Sequence, residues 1–365
     1  MKKQSSYKEW QQISLLLFFL FCVGQLFSQP YYNNWINHSQ QYYKFKVAEN
    51  GIYRIDFNAL QNAGVPVAAI DPRSIQLFGR GEELAIYIEG ENDGVFDAND
   101  FIEFYAQKND GWFDEGFYGS AQNHPNPFYS LINDTATYYL TWNSITSNNR
   151  VIIESDTNFT SYTPNNYYLQ GLINSFHSNY FTGKTLVIGG QSENLFGYDP
   201  AEGWFDNVFT LGQTRTKALS TNNIYNNGGN VNVKAVVVGA SNFSTLFNDH
   251  HLQVQIGSQI LDTIYEGYEK IDLNYNIPLT EFSSPSTNLV FKSINDLGST
   301  VDRQTISFVE LKYPHTPDLG NVDFNDQLFI EDNLSQPKSY FQFINMSGYG
   351  GVVLYDITNN KKIKT

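Results

Sequence analysis

The chain has 365 residues, a formal net charge of −15 and an aromatic content of 16%, with 28 phenylalanines and 25 tyrosines. An acidic surface repels the phosphates of nucleic acids, so this charge argues against a nucleic-acid-binding protein. Cys22 is the only cysteine, so residues 23–365 hold no disulfide, no thiolate metal ligand and no cysteine nucleophile. Abundant Tyr, Phe, Thr and Asn favour strands and turns over helices, and we predict an all-β fold.

Residues 1–28 are predicted to be a secretory signal peptide. Three lysines lie among the first eight residues, and Ile13–Val23 is apolar but too short for a membrane span. We expect cleavage between Ser28 and Gln29, which removes Cys22, three lysines and one glutamate and changes the formal net charge from −15 to −17. A retained anchor is the alternative. After cleavage we expect no integral membrane span and a location in the periplasm, on the outer-membrane surface or outside the cell.

Residues 29–161 are predicted to form a β-rich N-terminal domain. Apolar residues alternate with lysines before Asn50-Gly51 and the alternation resumes after it, which predicts one hairpin over Tyr42–Asp56 with a type I′ turn. A short helix is expected over Phe57–Ala63, because Gly64 follows it. Short apolar runs bounded by turn residues predict five further strands, Ser74–Phe78, Leu84–Ile88, Phe101–Tyr105, Thr137–Trp142 and Arg150–Glu154.

The segment EGENDGVFDAND between two of these strands is a candidate calcium loop. With Gly94 at the obligatory glycine, five carboxylates and one backbone carbonyl fall at the ligand positions of a twelve-residue loop. These residues are Glu89, Glu91, Asp93, Val95 (through its carbonyl), Asp97 and Asp100. The alternative is a solvated acidic turn, because Phe101–Tyr105 predicts a strand where an EF-hand continues into a helix.

Residues 162–317 are predicted to form a second domain. Several short strands with alternating apolar residues follow one another without helices, which is typical of an antiparallel, jelly-roll-like sandwich. The run Val236–Val238 departs from the alternation, because it is apolar throughout. Residues 318–365 begin with a change of composition and are expected to start a third unit, with strands over Tyr340–Ile344 and Gly351–Tyr355.

Two tryptophans are candidates for stacking on sugar rings. Trp112 and Trp204 lie in similar segments, DGWFD and EGWFD, in a chain rich in aromatic residues. The alternative is that these aromatic residues plug turns or cover sheet edges. No catalytic residue is predicted: His250 and His251 point to opposite faces of a strand and cannot share a metal, and no Gly-x-Ser-x-Gly motif is present. The remaining histidines lie in turn-like or polar contexts and are expected to have surface or cap roles; they are His38, His124, His177 and His315.

Five segments resemble the N-terminal region of gingipain-like cysteine peptidases, specifically the sortase-like (PorU-type) members of the type IX secretion system. They are YYKFKVAENGIYRIDFNAL (Tyr42–Leu60), IDPRSIQLFGRGEE (Ile70–Glu83), EGENDGVFDANDFIEFYAQKNDGWFD (Glu89–Asp114), NPFYSLINDTATYYLTW (Asn126–Trp142) and ISFVELKYPH (Ile306–His315). In that family a Cys/His pair that cleaves cargo signals lies downstream of these modules. No catalytic residue carries over, because the last cysteine is Cys22.

The resemblance implies an exported accessory or scaffold portion of such a peptidase, in a Bacteroidetes-type secretion pathway, with the catalytic domain absent from this chain. Residues 318–365 are then the lead-in to a peptidase domain. The chain is either a fragment of a longer enzyme or a stand-alone remnant of its N-terminal modules. The implied partners are type IX secretion components, cargo proteins and a downstream peptidase domain. The alternative is a surface carbohydrate-binding or adhesin-like β-sandwich protein.

Overall fold

The computed structural model describes residues 33–156, 158–195, 197–320, 327–331, 336, 338–345 and 353–364. The predicted signal peptide and its cleavage site at Ser28 and Gln29 lie outside these residues. The described part of the chain is built mainly of antiparallel strands, which confirms the predicted all-β class. None of the helices within these ranges has the length and apolar character needed to cross a bilayer.

The N-terminal unit consists of two small sheets that enclose one core. The first sheet has the order β1-β7-β3-β4 and the second the order β2-β6-β5. Both sheets and helix α1 (Phe57–Asn62) send apolar side chains into the space between them, including Val47, Leu60, Leu77 and Phe104. The strands are β1 (Tyr43–Val47), β2 (Gly51–Asp56), β3 (Ile75–Gly79), β4 (Glu82–Glu83), β5 (Tyr87–Ile88), β6 (Phe101–Ala106), β7 (Ala136–Trp142) and β8 (Ile152–Glu154).

Local sequence signals explain helix α1. Asp56 is its N-cap and accepts a hydrogen bond from the backbone N–H of Ala59 at 2.8 Å, which satisfies one free donor of the first turn. The helix ends at Asn62, and Gly64 follows with a φ of +77°, a conformation that favours glycine. The predicted helix is therefore confirmed to within one residue.

The predicted hairpin over Tyr42–Asp56 is wrong. Strand β1 pairs with β7 and strand β2 pairs with β6, so the two predicted arms belong to different sheets. The alternation was detected correctly, but each arm packs its apolar face into the shared core from the opposite side. A turn of the type I′ class, with positive φ at both central residues, lies instead at Arg80 and Gly81 between β3 and β4 (φ 53° and 85°).

The second unit is a jelly roll of eight main strands. One sheet has the order β19-β16-β21-β9 and the other the order β15-β20-β17-β18, so the chain crosses repeatedly between the two sheets. Inward-facing side chains such as Val233, Leu252, Phe291 and Leu311 fill the space between them. The strands are β9 (Tyr168–Ser175), β10 (Asn179–Thr182), β11 (Thr185–Ile188), β12 (Gln191–Asn194), β13 (Glu202–Phe205), β14 (Phe209–Thr210), β15 (Thr214–Ser220), β16 (Val231–Gly239), β17 (His250–Ile256), β18 (Gln259–Tyr265), β19 (Lys270–Ile277), β20 (Ser286–Ser293), β21 (Arg303–His315) and β22 (Leu328–Phe329).

The apolar run in β16 reflects burial on both faces. Val237 points into the jelly-roll core, whereas Val236 and Val238 point outward and are also buried. They join Phe308 of β21 in a second apolar cluster, against which Phe128 of the N-terminal unit packs. The outer face of this sheet is therefore apolar at one end, where Phe128 of the N-terminal unit and Phe205 of the second unit cover it.

A connection of the N-terminal unit, residues 107–135 between β6 and β7, makes this contact, and we call it the clasp. Phe128 lies edge-on to Phe308 with 4.9 Å between ring centroids. The strand register shifts between Val236 and Val237, and Ser307 of β21 falls at the shift. Its hydroxyl donates a hydrogen bond to the carbonyl of Pro125 in the clasp at 2.7 Å. The two units are thus joined by packing and by buried hydrogen bonds.

The described strands after the jelly roll pair with the two preceding units. Strand β22 adds to β9 at the edge of the jelly-roll sheet. Strands β23 (Val353–Asp356) and β24 (Lys361–Lys364) form a hairpin, and β24 pairs in parallel with β8 of the N-terminal unit. The predicted strand over Tyr340–Ile344 is not formed, and Ile344 makes only an isolated bridge to Asp318.

A buried ion pair anchors β24. The ammonium of Lys362 lies 2.6 Å from Glu103 of β6, and both side chains are 8% exposed. Tyr355 and Arg54 donate hydrogen bonds to the same carboxylate. Burial favours the protonated acid, but the bonds from Lys362, Tyr355 and Arg54 outweigh it and hold the pKa of Glu103 below its usual range. Lys362 also lies over the ring of Tyr87, 3.6 Å from its centroid.

We expect Lys362→Met to destabilise the attachment of β23 and β24 by about 3 kcal/mol. This is the lower end of the cost of leaving a buried charge without its partner. The lower end applies because Arg54 still pairs with Glu103. Hydrogen–deuterium exchange of residues 353–364 measures the local free energy of opening. Lys361→Met is the matched control, since Lys361 and its partner Glu154 are each 38% exposed. This control should cost less than about 1 kcal/mol. Equal effects of the two substitutions would contradict the anchoring role of Lys362.

Candidate functional site

The acidic segment Glu89–Asp100 forms a compact turn between β5 and β6. Gly90 and Gly94 adopt φ values of +82° and +80° and bracket the 3₁₀ turn Glu91–Asp93. A Cβ atom at Gly90 would lie 2.0 Å from Oδ1 of Asp100, so the loop requires glycine there for space as well as for conformation. Asp100 is buried, and its Oδ2 accepts a hydrogen bond from the backbone N–H of Asp97 at 2.7 Å.

The structure does not bring the six predicted calcium ligands to one point. Glu89 accepts a hydrogen bond from Tyr87, and Asp93 and Asp97 each accept one from a backbone N–H two residues further on. Glu91 pairs with Arg150 at 2.7 Å, and Val95 is exposed. No cluster of three or more acidic or histidine side chains suited to a metal occurs within the described residues. Calcium binding therefore stays a prediction of the sequence.

Arg150 is a central residue of this turn that the sequence did not identify. Its guanidinium donates to Glu91 and also to the backbone carbonyls of Pro72, Arg73 and Ile75, at 2.7 to 3.1 Å. It ties the acidic turn to the start of β3. Nothing in the spacing of the sequence predicts this contact, because the two partners of the ion pair are 59 residues apart.

Trp112 lies in a turn held by its two flanking aspartates. Asp110 accepts a hydrogen bond from the backbone N–H of Trp112 at 3.1 Å and pairs with Arg80 at 2.9 Å. Asp114 is buried and accepts a hydrogen bond from the backbone N–H of Leu131 at 2.7 Å. The indole lines a shallow cavity of about 160 Å³ together with Trp35 and other residues of the N-terminal unit. The DGWFD segment is therefore a structural turn that presents two aromatic side chains, Trp112 and the exposed Phe113.

Trp204 belongs to the junction between the two units. Its indole N–H points to the carbonyl of Leu131 at 3.4 Å, and the rings of Tyr129 and Tyr180 lie edge-on to it. The cavity that Trp112 lines does not include Trp204. The two predicted sugar-stacking residues therefore do not form one site. Trp204 instead packs against Tyr129 of the clasp.

Asn126 is the most highly connected polar residue of this junction. It is 3% exposed, and its amide nitrogen donates to the carbonyls of Phe176 and Trp204, each at 3.2 Å. Its amide oxygen accepts hydrogen bonds from the hydroxyl of Ser175 and the backbone N–H of Phe128. A buried amide with all its bonding groups in use specifies one relative arrangement of the chain segments it joins.

A buried Ser–His–Asp group lies at one end of the jelly roll, but it lacks the geometry of a catalytic triad. Ser293 donates to Asp302 at 2.6 Å rather than to His250. His250 contacts Asp302 through Nδ1 at 2.5 Å and the carbonyl of Ser241 through Nε2 at 3.0 Å. A triad needs its serine on the imidazole nitrogen and open to substrate, whereas these side chains are no more than 1% exposed.

The predicted positions of the histidines are confirmed for the pair on β17 but not for all the others. His250 faces the core and His251 faces outward beside Asp296, so they lie on opposite faces of β17 as expected. The expectation of surface or cap roles is wrong for His124 and His315, which are buried and stack on Tyr118 and Tyr168. The aromatic neighbour of His315 is distant in the sequence, whereas that of His124 lies six residues away within the clasp.

Comparisons with known proteins place the chain in no family. No protein-family model and no curated protein matches the sequence. Among solved structures, the crystal structure of dimeric latent PorU from Porphyromonas gingivalis aligns with a TM-score of 0.44 and 12% identity, over 76% of this chain and 24% of that one. The chain thus spans about a quarter of the length of the PorU structure.

Two carbohydrate-related structures align less well. The CBM36-1 domain of a multidomain xylanase from the hindgut metagenome of Trinervitermes trinervoides has a TM-score of 0.21 and 12% identity, over 39% of this chain and 95% of that one. A β-porphyranase of glycoside hydrolase family 86 from Bacteroides plebeius has a TM-score of 0.20 and 7% identity, over 77% and 36%. At these values, function has to be argued from the residues of the chain itself.

If the acidic segment binds calcium, calcium should raise the melting temperature of the chelator-treated chain, and Asp93→Ala should abolish that rise. Differential scanning calorimetry measures both effects. Glu115→Ala is the control, because Glu115 is an exposed acid outside the segment. An unchanged melting temperature of the wild-type chain in calcium would leave a hydrogen-bonded acidic turn without a cation.

The free energy of unfolding should depend on pH through the buried imidazole of His250. Burial disfavours the charged imidazole, but the hydrogen bond to Asp302 and the charges of Asp302 and Asp249 outweigh it, so the pKa of His250 is raised above 6.5. A raised pKa in the folded state stabilises the fold fully below pH 6.5, and this stabilisation is lost as the pH rises through the folded-state pKa.

We therefore expect His250→Gln to flatten the fall in the free energy of unfolding as the pH rises above 6.5, measured by urea titration. Gln255→Ala is the matched control, because Gln255 is an exposed, non-titrating residue of the same strand, and it should leave that fall unchanged. The lowered pKa values of His124 and His315, caused by burial, act below pH 6.5 and in the opposite sense. The same slope in the wild type and His250→Gln would show that His250 does not carry the effect.

Proposed function

We propose that the chain is an exported, non-catalytic β-scaffold that corresponds to the region preceding the peptidase domain in gingipain-like proteases of the type IX secretion system. Its role is to position or shield a peptidase and to contact secretion components or cargo. The observation that carries the proposal is the clasp, because a scaffold must hold its modules in one relative arrangement. Buried hydrogen bonds and ring packing do so at this junction.

The segments that resemble the family supply much of this junction. The segment Asn126–Trp142 begins with the amide that joins the clasp to β9 and β13, and it includes Phe128. The segment Glu89–Asp114 includes Asp114, which holds the fold of the clasp through Leu131. The segment Ile306–His315 contains Ser307 and Phe308, the partners of the clasp on β21. Three of the five resembling segments therefore contribute residues that fix how the units meet.

The chemistry of the chain supports a binding role. Residues 23–365 contain no cysteine, which removes the nucleophile that the family uses. Ser293 donates to a carboxylate in a closed interior and has no access to substrate. The buried charges at Glu103 and Lys362 serve attachment of β24. Ser293, Glu103 and Lys362 thus make contacts that stabilise the fold.

The proposal is tested with purified residues 29–365. We expect no peptidase activity, and measurable binding by surface plasmon resonance to a gingipain-like peptidase domain or a cargo protein of the same secretion system. Asn126→Ala leaves the carbonyls of Phe176 and Trp204 without their donor, at a cost of about 1–3 kcal/mol per unpaired buried group, and should weaken that binding by loosening the junction.

Asn133→Ala is the matched control, because Asn133 lies in the clasp but is exposed. It should bind as the wild type does. Peptidase activity in the cysteine-free chain would replace the scaffold proposal with an enzyme. Absence of binding to both the peptidase domain and the cargo would overturn it as well.

A further inference from the structure

The outer face of the β19-β16-β21-β9 sheet has an open, polar half that the scaffold function does not use. Phe128 of the clasp and Phe205 of β13 cover Val236, Val238 and Phe308 at one end of this face. At the other end the outward positions of β16, β19 and β21 carry amides and paired charges. These residues are Asn232, Lys234, Asn274, Asn276, Glu310 and Lys312.

Three asparagines in this half form a row whose orientation is fixed by mutual hydrogen bonds. The amide nitrogen of Asn232 donates to Oδ1 of Asn274 at 3.0 Å and to Oδ1 of Asn276 at 3.1 Å. Both N–H groups of Asn232 are used in these two hydrogen bonds, and its amide oxygen remains an acceptor. The amide nitrogens of Asn274 and Asn276 remain donors. The row therefore presents donors and an acceptor in a prearranged pattern, which lowers the entropy cost of binding a ligand.

A cavity of about 290 Å³ lies at the end of this row. Its walls include Asn232 and Asn276 on one side and Tyr167, Leu169 and Pro314 on another. The ring of Tyr167 is held parallel to Tyr225, with 5.3 Å between centroids and 15° between planes. The volume is close to the lower end of small-ligand sites, about 300 Å³. A cavity lined by a fixed aromatic ring and by prearranged amides suits a ligand with one apolar face and several hydroxyl groups.

The charges of the cavity favour a neutral ligand. Lys312 and Glu331 are its charged wall residues, and their charges are opposite. Lys312 also lies 3.9 Å from Glu310 and over the ring of Phe329, 4.3 Å from its centroid. Its charge is therefore already partly balanced. A phosphate or a uronic acid would find no surplus of positive charge here, in a chain that is acidic overall.

We propose that this cavity binds a neutral saccharide, with the sugar's C–H face against Tyr167 and its hydroxyls on Asn232 and Asn276. A sugar ring combines an apolar face with hydroxyls that both donate and accept, which matches an aromatic wall beside amides. The size of the cavity limits the bound portion to a short saccharide or to the end of a longer glycan. The site is separate from Trp112 and Trp204, the positions that the sequence suggested.

The test is isothermal titration calorimetry of residues 29–365 with neutral gluco-, manno-, galacto-, xylo- and N-acetylglucosamine oligosaccharides, and with an oligouronate for comparison. At least one neutral saccharide should bind, and the oligouronate should bind more weakly. Asn276→Ala should weaken binding by about five- to tenfold, the loss expected for one hydrogen bond, and Tyr167→Ala should do the same or more.

Asn288→Ala is the matched control, because Asn288 is exposed on β20 of the other sheet. It should leave the affinity unchanged, and so should Trp112→Ala. Both Asn276→Ala and Asn288→Ala alter exposed side chains, so their melting temperatures should equal that of the wild type. The proposal is overturned if no neutral saccharide binds, if the oligouronate binds more tightly, or if Trp112→Ala abolishes binding while Asn276→Ala preserves it. None of these results bears on binding to a peptidase domain or cargo.

Discussion

The architecture depends on one constraint, the need to bury an apolar surface on the outside of the jelly roll. Val236, Val238 and Phe308 face away from the sandwich core, where a solvent-facing sheet would carry polar residues. Phe128 of the clasp and Phe205 of the connection between β9 and β15 cover them. Because exposing these side chains to water is unfavourable, the N-terminal unit is held against the jelly roll.

Polar residues make this association specific. Apolar packing is not directional, so it does not by itself select one orientation of the two units. Asn126 and Ser307 do so, since each donates hydrogen bonds across the junction to backbone carbonyls. Moving the units apart or rotating them would leave these buried groups unpaired. Lys362 and Glu103 play the same part for the C-terminal hairpin.

The outer face of the β19-β16-β21-β9 sheet has two different ends, one apolar and covered, the other polar. The polar row of Asn232, Asn274 and Asn276 lies on the same face of the sheet as the apolar cluster, beyond the pair of Lys234 and Glu310. One face of the sheet thus joins the N-terminal unit at one end and carries the proposed ligand site at the other. The acidic turn also belongs to the N-terminal unit and precedes the clasp in the sequence. Arg150 holds it in place through Glu91. Its carboxylates act mainly as hydrogen-bond acceptors within the fold. The proposed scaffold and ligand-binding roles therefore use different parts of the chain and are compatible with each other.

Local patterns in the sequence predicted several elements correctly. Asp56 and Gly64 bracket helix α1, short apolar runs coincide with β3, β6 and β7, and alternation identified a jelly-roll-like sandwich. These features depend on neighbours within a few residues, because capping and alternation are local properties. Even the departure from alternation at Val236–Val238 was visible, although its cause was not.

The sequence by itself determined the all-β class, most strand positions and the absence of a cysteine nucleophile beyond Cys22. Only the tertiary structure decided which strands pair, as β1 and β2 show by joining different sheets. It also decided where the carboxylates of Glu89–Asp100 point and which asparagines form a row. The physical reason is that pairing and side-chain contacts join residues distant in sequence, such as Glu91 with Arg150 and Glu103 with Lys362. No local pattern encodes such partners.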